Sequence, residues 1–249
     1  MARRSLEKTA LENRENDLLR VARHLFLTKG IDGLTMEKLA AGTNYSKGTI
    51  YQHFSSKEDV LAALCVQSSR IRYGLLERAT VFKGRSRERA LAVAKADYIV
   101  YRLHPDYWRV EQVTDILSLT SKISPTRRAS LDALVERCAG IAIGIIRDGI
   151  ARGELILPSG LTPEKFLLAL LSLTRGLYIT SSDEALRHWA ADDPSTQEQL
   201  LSCTFDGFGW RPFTGDWNYP ETVQRIWREV FPAEATELGL IGKHSKKPA

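Results

Sequence analysis

Cysteine and methionine are scarce in this 249-residue chain, three of the first and two of the second. Cys65, Cys138 and Cys203 are odd in number, far apart and without the close pairs a zinc site needs. They read as reduced thiols in helices. Long apolar runs are missing too: Cys138 to Ile146 and Phe166 to Leu171 fall far short of the roughly 20 residues that span a bilayer. No apolar stretch of the signal-peptide kind follows the basic start at Arg3 and Arg4, so the expected protein is soluble and cytoplasmic, with no membrane partner. Charge of one sign hardly dominates, since 35 Lys and Arg against 30 Asp and Glu leave +5. That excess favours a polyanionic partner only weakly, and residues 1–64 hold ten basic and eight acidic side chains, so it is not gathered there. Catalytic signatures are lacking: there is no Gly-x-Ser-x-Gly, no phosphate-cradling glycine loop and no metal-ligand set. Glu184 and His188 share a helical spacing without a third partner. No catalytic residue, metal or cofactor is expected, and an enzyme is disfavoured.

What is present is helix. A hydrophobic fraction of 43% with 26% charged residues is ordinary for a globular chain. Leu18, Val21, Ala22, Leu25 and Phe26 recur with a period of about 3.6 residues, giving one buried face that stops at Lys29-Gly30. Thr35 caps a short helix from Met36 to Ala41, and Ser46 to Phe54 forms another. Ser55 with Glu58 has capping-box spacing and opens a long helix near 56–80. Further helices are expected near 87–103, 106–119, 125–152, 163–182, 195–209 and 221–231. Ser124-Pro125, Thr162-Pro163 and Asp193-Pro194 each supply a capping side chain before a proline. Gly140 and Gly144 allow close helix approach. No period-two alternation suggests strands. The expected fold is all-α: a three-helix helix-turn-helix domain over residues 1–62, then a larger helical domain over 63–249. Within the latter, 212–249 is an extra segment with one amphipathic helix and a solvated tail.

Two short helices joined by a tight turn can place the second in the DNA major groove, which is about 12 Å wide. Ile50 and Phe54, an i, i+4 apolar pair, would anchor that helix to the first and fourth helices. Lys47, Gly48, Tyr51, Gln52 and His53 then lie around its other side. Thr35, at a helix N-terminus, can offer a phosphate its hydroxyl and a backbone N–H.

From about Glu15 to Leu64 the chain resembles the tetracycline-repressor (TetR) family of regulators. The likeness rests on Ala22-x-x-Leu25-Phe26, Lys29-Gly30-Ile31-x-Gly33-Leu34-Thr35-Met36 and Leu39-Ala40. It rests above all on Ser46-Lys47-Gly48-Thr49-Ile50-Tyr51-x-His53-Phe54-x-x-Lys57-Glu58-x-Val60-Leu61. By this resemblance Tyr51, His53 and Lys57 fall on positions that grip the DNA backbone, while Lys47, Gly48 and Gln52 are the base-reading candidates. Ser46 and Thr49 complete the DNA-facing set. Three bland roles stay open: Tyr51 as core packing, His53 as a packing or capping histidine, and Lys57 as a solvated surface charge. Where the family has Ala-Gly-Val in the turn, this chain has Thr43-Asn44-Tyr45. Tyr45 either reaches a phosphate with its hydroxyl or covers the turn.

The resemblance also implies a homodimer on a palindromic operator in duplex DNA, a small-molecule effector and, usually, repression. The helices near 163–182 and 195–209 would form the dimer interface. Candidate effector contacts are Tyr98, Tyr101, Tyr107, Trp108, Gln112, Arg175 and Tyr178, whose aromatic walls and one cation suit an amphipathic, anionic molecule.

Overall fold

A computed structural model describes residues 2–116, 123–186, 188 and 194–241. Among the described residues there are eleven α-helices, one 3-10 turn and no strand, as expected of an all-α chain. They are α1 (Ala2–Gly33), α2 (Met36–Ala41), α3 (Lys47–His53), α4 (Lys57–Ala79), α5 (Ser86–Leu103) and α6 (Pro105–Ile116). Then come α7 (Pro125–Ala151), α8 (Pro163–Ser182), α9 (Pro194–Gly207), the 3-10 turn Thr214–Asp216, α10 (Tyr219–Glu229) and α11 (Pro232–Glu237). None of the described helices is long and apolar enough to cross a membrane.

The chain divides into two compact units, Met1–Ile71 with His104–Val135, and Arg72–Leu103 with Glu136–Ala249. Helices α4 and α7 each run across that division. In the first unit α1 is interrupted at Gly30, whose φ of 67° is open to glycine but strained for a side chain. Leu18, Ala22 and Phe26 bury the expected face of α1 against Met36 and Leu39 of α2, Ile50 and Phe54, and Val60, Leu61 and Leu64 of α4. Val110 of α6 closes the same core. Ile50 and Phe54 are fully buried, each stabilising the domain by roughly 1.5–3 kcal/mol.

Local capping departs from the spacing argument at the start of α4. Ser56, not Ser55, caps α4: its Oγ accepts from the Asp59 N–H at 3.1 Å, while an Asp59 carboxylate oxygen accepts the Ser55 N–H at 3.2 Å. Asp59 rather than Glu58 occupies the third helical position behind that cap, so the reciprocal bonds shift by one residue. At the start of α7 the Ser124 N–H (3.1 Å) and hydroxyl (2.9 Å) both donate to Asp59. Thr162, by contrast, accepts the Lys165 N–H at 3.3 Å and caps α8 as its sequence suggests. Asp193, the 117–119 end of the helix expected at 106–119, and the tail from 242 lie outside the described residues.

In the second unit a basic side chain sits in the core. Arg87 of α5 is fully buried and donates to the Asp206 carboxylate, the carbonyls of Trp210 (2.9 Å), Pro212 (2.8 Å) and Ser202 (3.3 Å), and the Thr214 hydroxyl (2.9 Å). The Trp210 ring, also fully buried, donates its N–H to Ser86 at 2.8 Å. The C-terminal segment is thereby tied to α5. Its helix α10 buries Tyr219, Thr222, Val223, Ile226 and Trp227, and the Thr222 hydroxyl donates to Glu88 at 2.8 Å. Arg78 of α4 donates to the Val230 carbonyl at 2.7 Å and to Glu234 of α11, a helix not anticipated behind Pro232. Gly140 and Gly144 do not mark a helix crossing within the chain: both are exposed, and a Cβ on either would meet nothing within 4 Å. Helix α7 turns that stripe outward.

Candidate nucleic-acid interface

One side-chain cap and two anchors fix the short helix α3. The Ser46 Oγ accepts the Thr49 N–H at 3.1 Å and lies 3.0 Å from the Thr49 hydroxyl, which satisfies one of the orphan donors at the helix start. Thr35 does the same for α2, accepting the Lys38 N–H at 3.2 Å. With Ile50 and Phe54 inside the core, the helical period turns Lys47, Gly48, Tyr51 and Gln52 outward. Tyr51 is 51% exposed, and Gly48 and Gln52 are exposed. The tyrosine ring is therefore not core packing.

Lys47 is exposed and lies 3.5 Å from the equally exposed Glu37 of α2. The Glu37 carboxyl is held below its ordinary range, first by a backbone N–H at the start of α2 and then by the Lys47 charge. A Lys47 that reaches for a base edge must first leave this partner. A Cβ added to Gly48 would meet only the Ser46 Oγ, at 3.7 Å, so nothing inside the protein requires a bare backbone there.

Two other residues of the set face inward. The Tyr45 hydroxyl donates to Asp17 of α1 at 3.3 Å and its ring packs against the core, so this side chain covers the turn. The His53 side chain is only 4% exposed, with Nδ1 4.0 Å from Glu15 and its ring tilted against Phe54 at 6.1 Å. Burial pushes the imidazole below its ordinary value; Glu15 pulls it up, and Arg14 and Arg127 push it down. This histidine is placed as a packing group. Lys57 is the first residue of α4 and half-buried.

Long-range partners of α3 had no signal in the sequence. Arg127 of α7 donates to Glu15 at 2.8 Å and to the His53 carbonyl at 3.4 Å, and its guanidinium lies 5.1 Å from the centre of the Phe54 ring. Asp59 had a signal, the Ser56-to-Asp59 capping spacing.

The candidate effector residues are divided between the units. Tyr98, Tyr101, Arg175 and Tyr178 are in the second unit, and Tyr107, Trp108 and Gln112 in the first. There the Tyr107 hydroxyl donates to Gln67 at 3.0 Å, and Trp108 is buried. In the second unit Tyr101 stacks on Tyr178 at 4.3 Å and 7°, and the buried Gln197 amide donates to the Tyr178 hydroxyl. Burial raises the Tyr178 phenol well above its ordinary value. Beside them sits Lys95, 1% exposed, paired with Glu198 at 2.7 Å and with its ammonium 5.5 Å and 5.8 Å from the ring centres of Tyr98 and Trp227. Burial lowers the Lys95 ammonium below its ordinary range, and Glu198 opposes that shift. Sequence reasoning missed Lys95 because a lysine on an amphipathic helix normally reads as solvated.

Residues 18–64 match the family description "Bacterial regulatory proteins, tetR family". Over 59 residues the chain is 36% identical to the HTH-type transcriptional repressor AcnR of Corynebacterium diphtheriae, a stretch that is 24% of this chain and about a third (31%) of that relative. The likeness to solved structures extends much further. A bacterial regulatory protein of the tetR family from Rhodococcus RHA1 is similar with a TM-score of 0.60 at 20% identity, over 80% of this chain and 98% of the other. A transcriptional regulator from Saccharomonospora viridis in complex with choline gives 0.59 at 18% identity, over 78% and 96%. The tetR-family regulator PfmR of Thermus thermophilus gives 0.53 at 21% identity, over 76% and 94%. Residues 18–64 thus match the tetR-family model, and the chain shares an all-helical fold over most of its length with solved tetR-family regulators.

Proposed function

We propose that the chain is a homodimeric, DNA-binding transcription repressor of the cytoplasm, whose affinity for a palindromic operator is set by a small molecule held in its second half. The observation that carries this reading is the outward row of Lys47, Gly48, Tyr51 and Gln52 on a helix anchored by fully buried Ile50 and Phe54. Residues 1–62 carry the DNA-binding surface and residues 63–249 the dimerisation and effector functions. Lys47 and Gln52 read base edges, Gly48 lets the backbones approach, and Thr35, Ser46, Thr49, Tyr51 and Lys57 hold phosphates. Tyr45 and His53 serve this surface from behind.

One short helix gives too little affinity alone, so two copies act across a two-fold axis on successive major grooves. Exposed Leu168 (64%) and Ile179 (52%) on α8, with Leu200 (38%) on α9, support a partner on these helices. The stacked Tyr101 and Tyr178, with Tyr98, favour an effector with a flat apolar body. Arg175, the one cation of the candidate set, favours an anionic group on it. Because α4 is one continuous helix from Lys57 to Ala79, a shift at its far end would move the DNA-binding helices of each protomer and change the spacing of the two α3 helices.

The test is anisotropy on a duplex enriched by selection against the wild-type chain, in a salt series. Lys57→Ala weakens all sequences alike and flattens the salt slope, whereas Gln52→Ala relaxes the choice at one base position. A chain indifferent to every duplex at low ionic strength ends this reading. Light scattering on Leu168→Arg checks the dimer, which this variant separates into monomers.

A further inference from the structure

We propose that Arg127 is a positioning residue for the recognition helix, holding the C-terminal end of α3 in the orientation used on DNA. The inference rests on the DNA-binding reading above. Its side chain, 16% exposed, meets a different element in each direction. These are Glu15 of α1 at 2.8 Å, Asp59 of α4 at 3.6 Å, the carbonyl of His53 that ends α3 at 3.4 Å, and the face of Phe54 at 5.1 Å. Asp59 is itself 2% exposed and binds the Ser55 N–H together with the N–H and hydroxyl of Ser124, the residue just before Pro125 at the start of α7. The start of α7 is thus bolted to the α3–α4 junction.

Such a clamp matters more to α3 than to a longer helix. Seven residues make about two turns, too few to be stable without packing. The Ser46 cap holds the start and Ile50 the middle, but the last carbonyls are orphans that need an outside donor. Arg127 supplies one to His53, whose neighbours Tyr51 and Gln52 project to the exposed side. Contacts to base edges need their side chains held within roughly 0.5 Å, so a loosened end of α3 weakens recognition without any DNA contact being removed. Lysine cannot replace the residue fully, because a point charge does not span a carbonyl, a ring face and two carboxylates. Helix α7 also continues to Ala151 in the second unit, so the clamp sits on an element that belongs to both units.

Arg127→Gln and Arg127→Lys in the full chain test this against the wild-type-selected duplex, well below the unfolding midpoint of each variant. Arg127→Gln loses about tenfold in affinity and Arg127→Lys about threefold, with the salt slope of the wild type, since the side chain holds no phosphate. In the free protein, amide exchange over Ile50 to Phe54 quickens in Arg127→Gln while that of Met36 to Ala41 does not. Should Arg127→Gln fail to fold, Glu15→Gln, which removes the shortest partner, shows the same pattern at about threefold. Folded Arg127→Gln with affinity within twofold of wild type and unchanged α3 exchange overturns the proposal. So does a flattened salt slope, which would make Arg127 a phosphate contact. Wild-type protein without preference for any duplex defeats the DNA reading instead, and the exchange measurement then still judges whether Arg127 orders α3.

Discussion

The two units use their cations differently. In the first, the recognition side chains Lys47, Tyr51 and Gln52 stand outside an apolar cluster, although the unit also buries the Asp59 carboxylate. In the second, Arg87 and Lys95 are almost without solvent contact, at 0% and 1%, and one of them organises the chain around itself. A surface side chain can change without disturbing the fold, so the first unit can vary its reading face on a fixed frame. A buried cation is bound to its partners: once removed, it leaves buried carboxylates and carbonyls short of donors. The first unit should therefore be tolerant where it functions, and the second brittle where it is held together.

The largest effect expected from this contrast is at Arg87. Arg87→Ala removes a donor from the carbonyls of Ser202 and Trp210 and leaves Asp206 and the Pro212 carbonyl to Thr214 and Tyr219, and should destabilise the second unit by about 3 kcal/mol. Urea unfolding followed by tryptophan fluorescence measures it, since Trp210, Trp217 and Trp227 all lie in that unit. A loss under about 1 kcal/mol would show that the buried cation is not an organising element. Next is Gly48→Ala, where stability and function should move in opposite directions. The new methyl meets only Ser46 Oγ at 3.7 Å, and alanine suits a helix better than glycine by up to about 1 kcal/mol, so melting should rise slightly. Affinity for the selected duplex should fall by about tenfold, because the backbone can no longer approach. Unchanged binding would remove Gly48 from the reading face.

The same contrast explains what was legible in the sequence. Thr35, Ile50 and Phe54 could be placed from spacing alone, because a cap acts across three residues and an anchor pair across four, whereas Ser46 was counted within the helix that it caps. Tyr45 left two roles open, and the choice depended on Asp17, 28 residues away. Arg127 was invisible, since its partner Glu15 lies 112 residues distant. Arg87 and Lys95 read as surface charges for the same reason: their carboxylates, on Asp206 and Glu198, are more than a hundred residues on. The aromatic candidates Tyr107 and Trp108 were grouped with Tyr98 by composition, yet they sit in the other unit. Local chemistry shows in a sequence, whereas paired burial shows only after folding.

A smaller effect is expected from His53, a titrating group behind the reading helix. Glu15 and Arg14 of α1 and Arg127 of α7 set its field, and burial holds its folded value below the ordinary 6.5. The neutral imidazole is the form the fold accepts. Stability should be full above pH 6.5 and fall as pH drops from there through the lowered folded value, because the unfolded chain takes up a proton first. Thermal melts between pH 7.5 and about 5, above the carboxylate range, measure this, and His53→Gln should flatten the profile. An equally steep profile in that variant would place the pH dependence elsewhere.

The smallest effect tests whether the outer face of the first unit is as independent as it looks. Glu37 and Lys47 are both more than half exposed, so their pair contributes little to stability, and Glu37→Gln should leave the melt unchanged. On DNA the pair acts differently. The carboxylate competes with the polyanion for Lys47 and also adds a negative charge close to the phosphates. Its removal should raise affinity about twofold to threefold on the selected duplex and on unrelated duplexes alike, and more at low salt than at high. A gain confined to the selected duplex would mean that Glu37 shapes base choice through Lys47. A loss of affinity would mean that the pair pre-orients the lysine for its contact, and the two short helices α2 and α3 would then have to be treated as one reading surface.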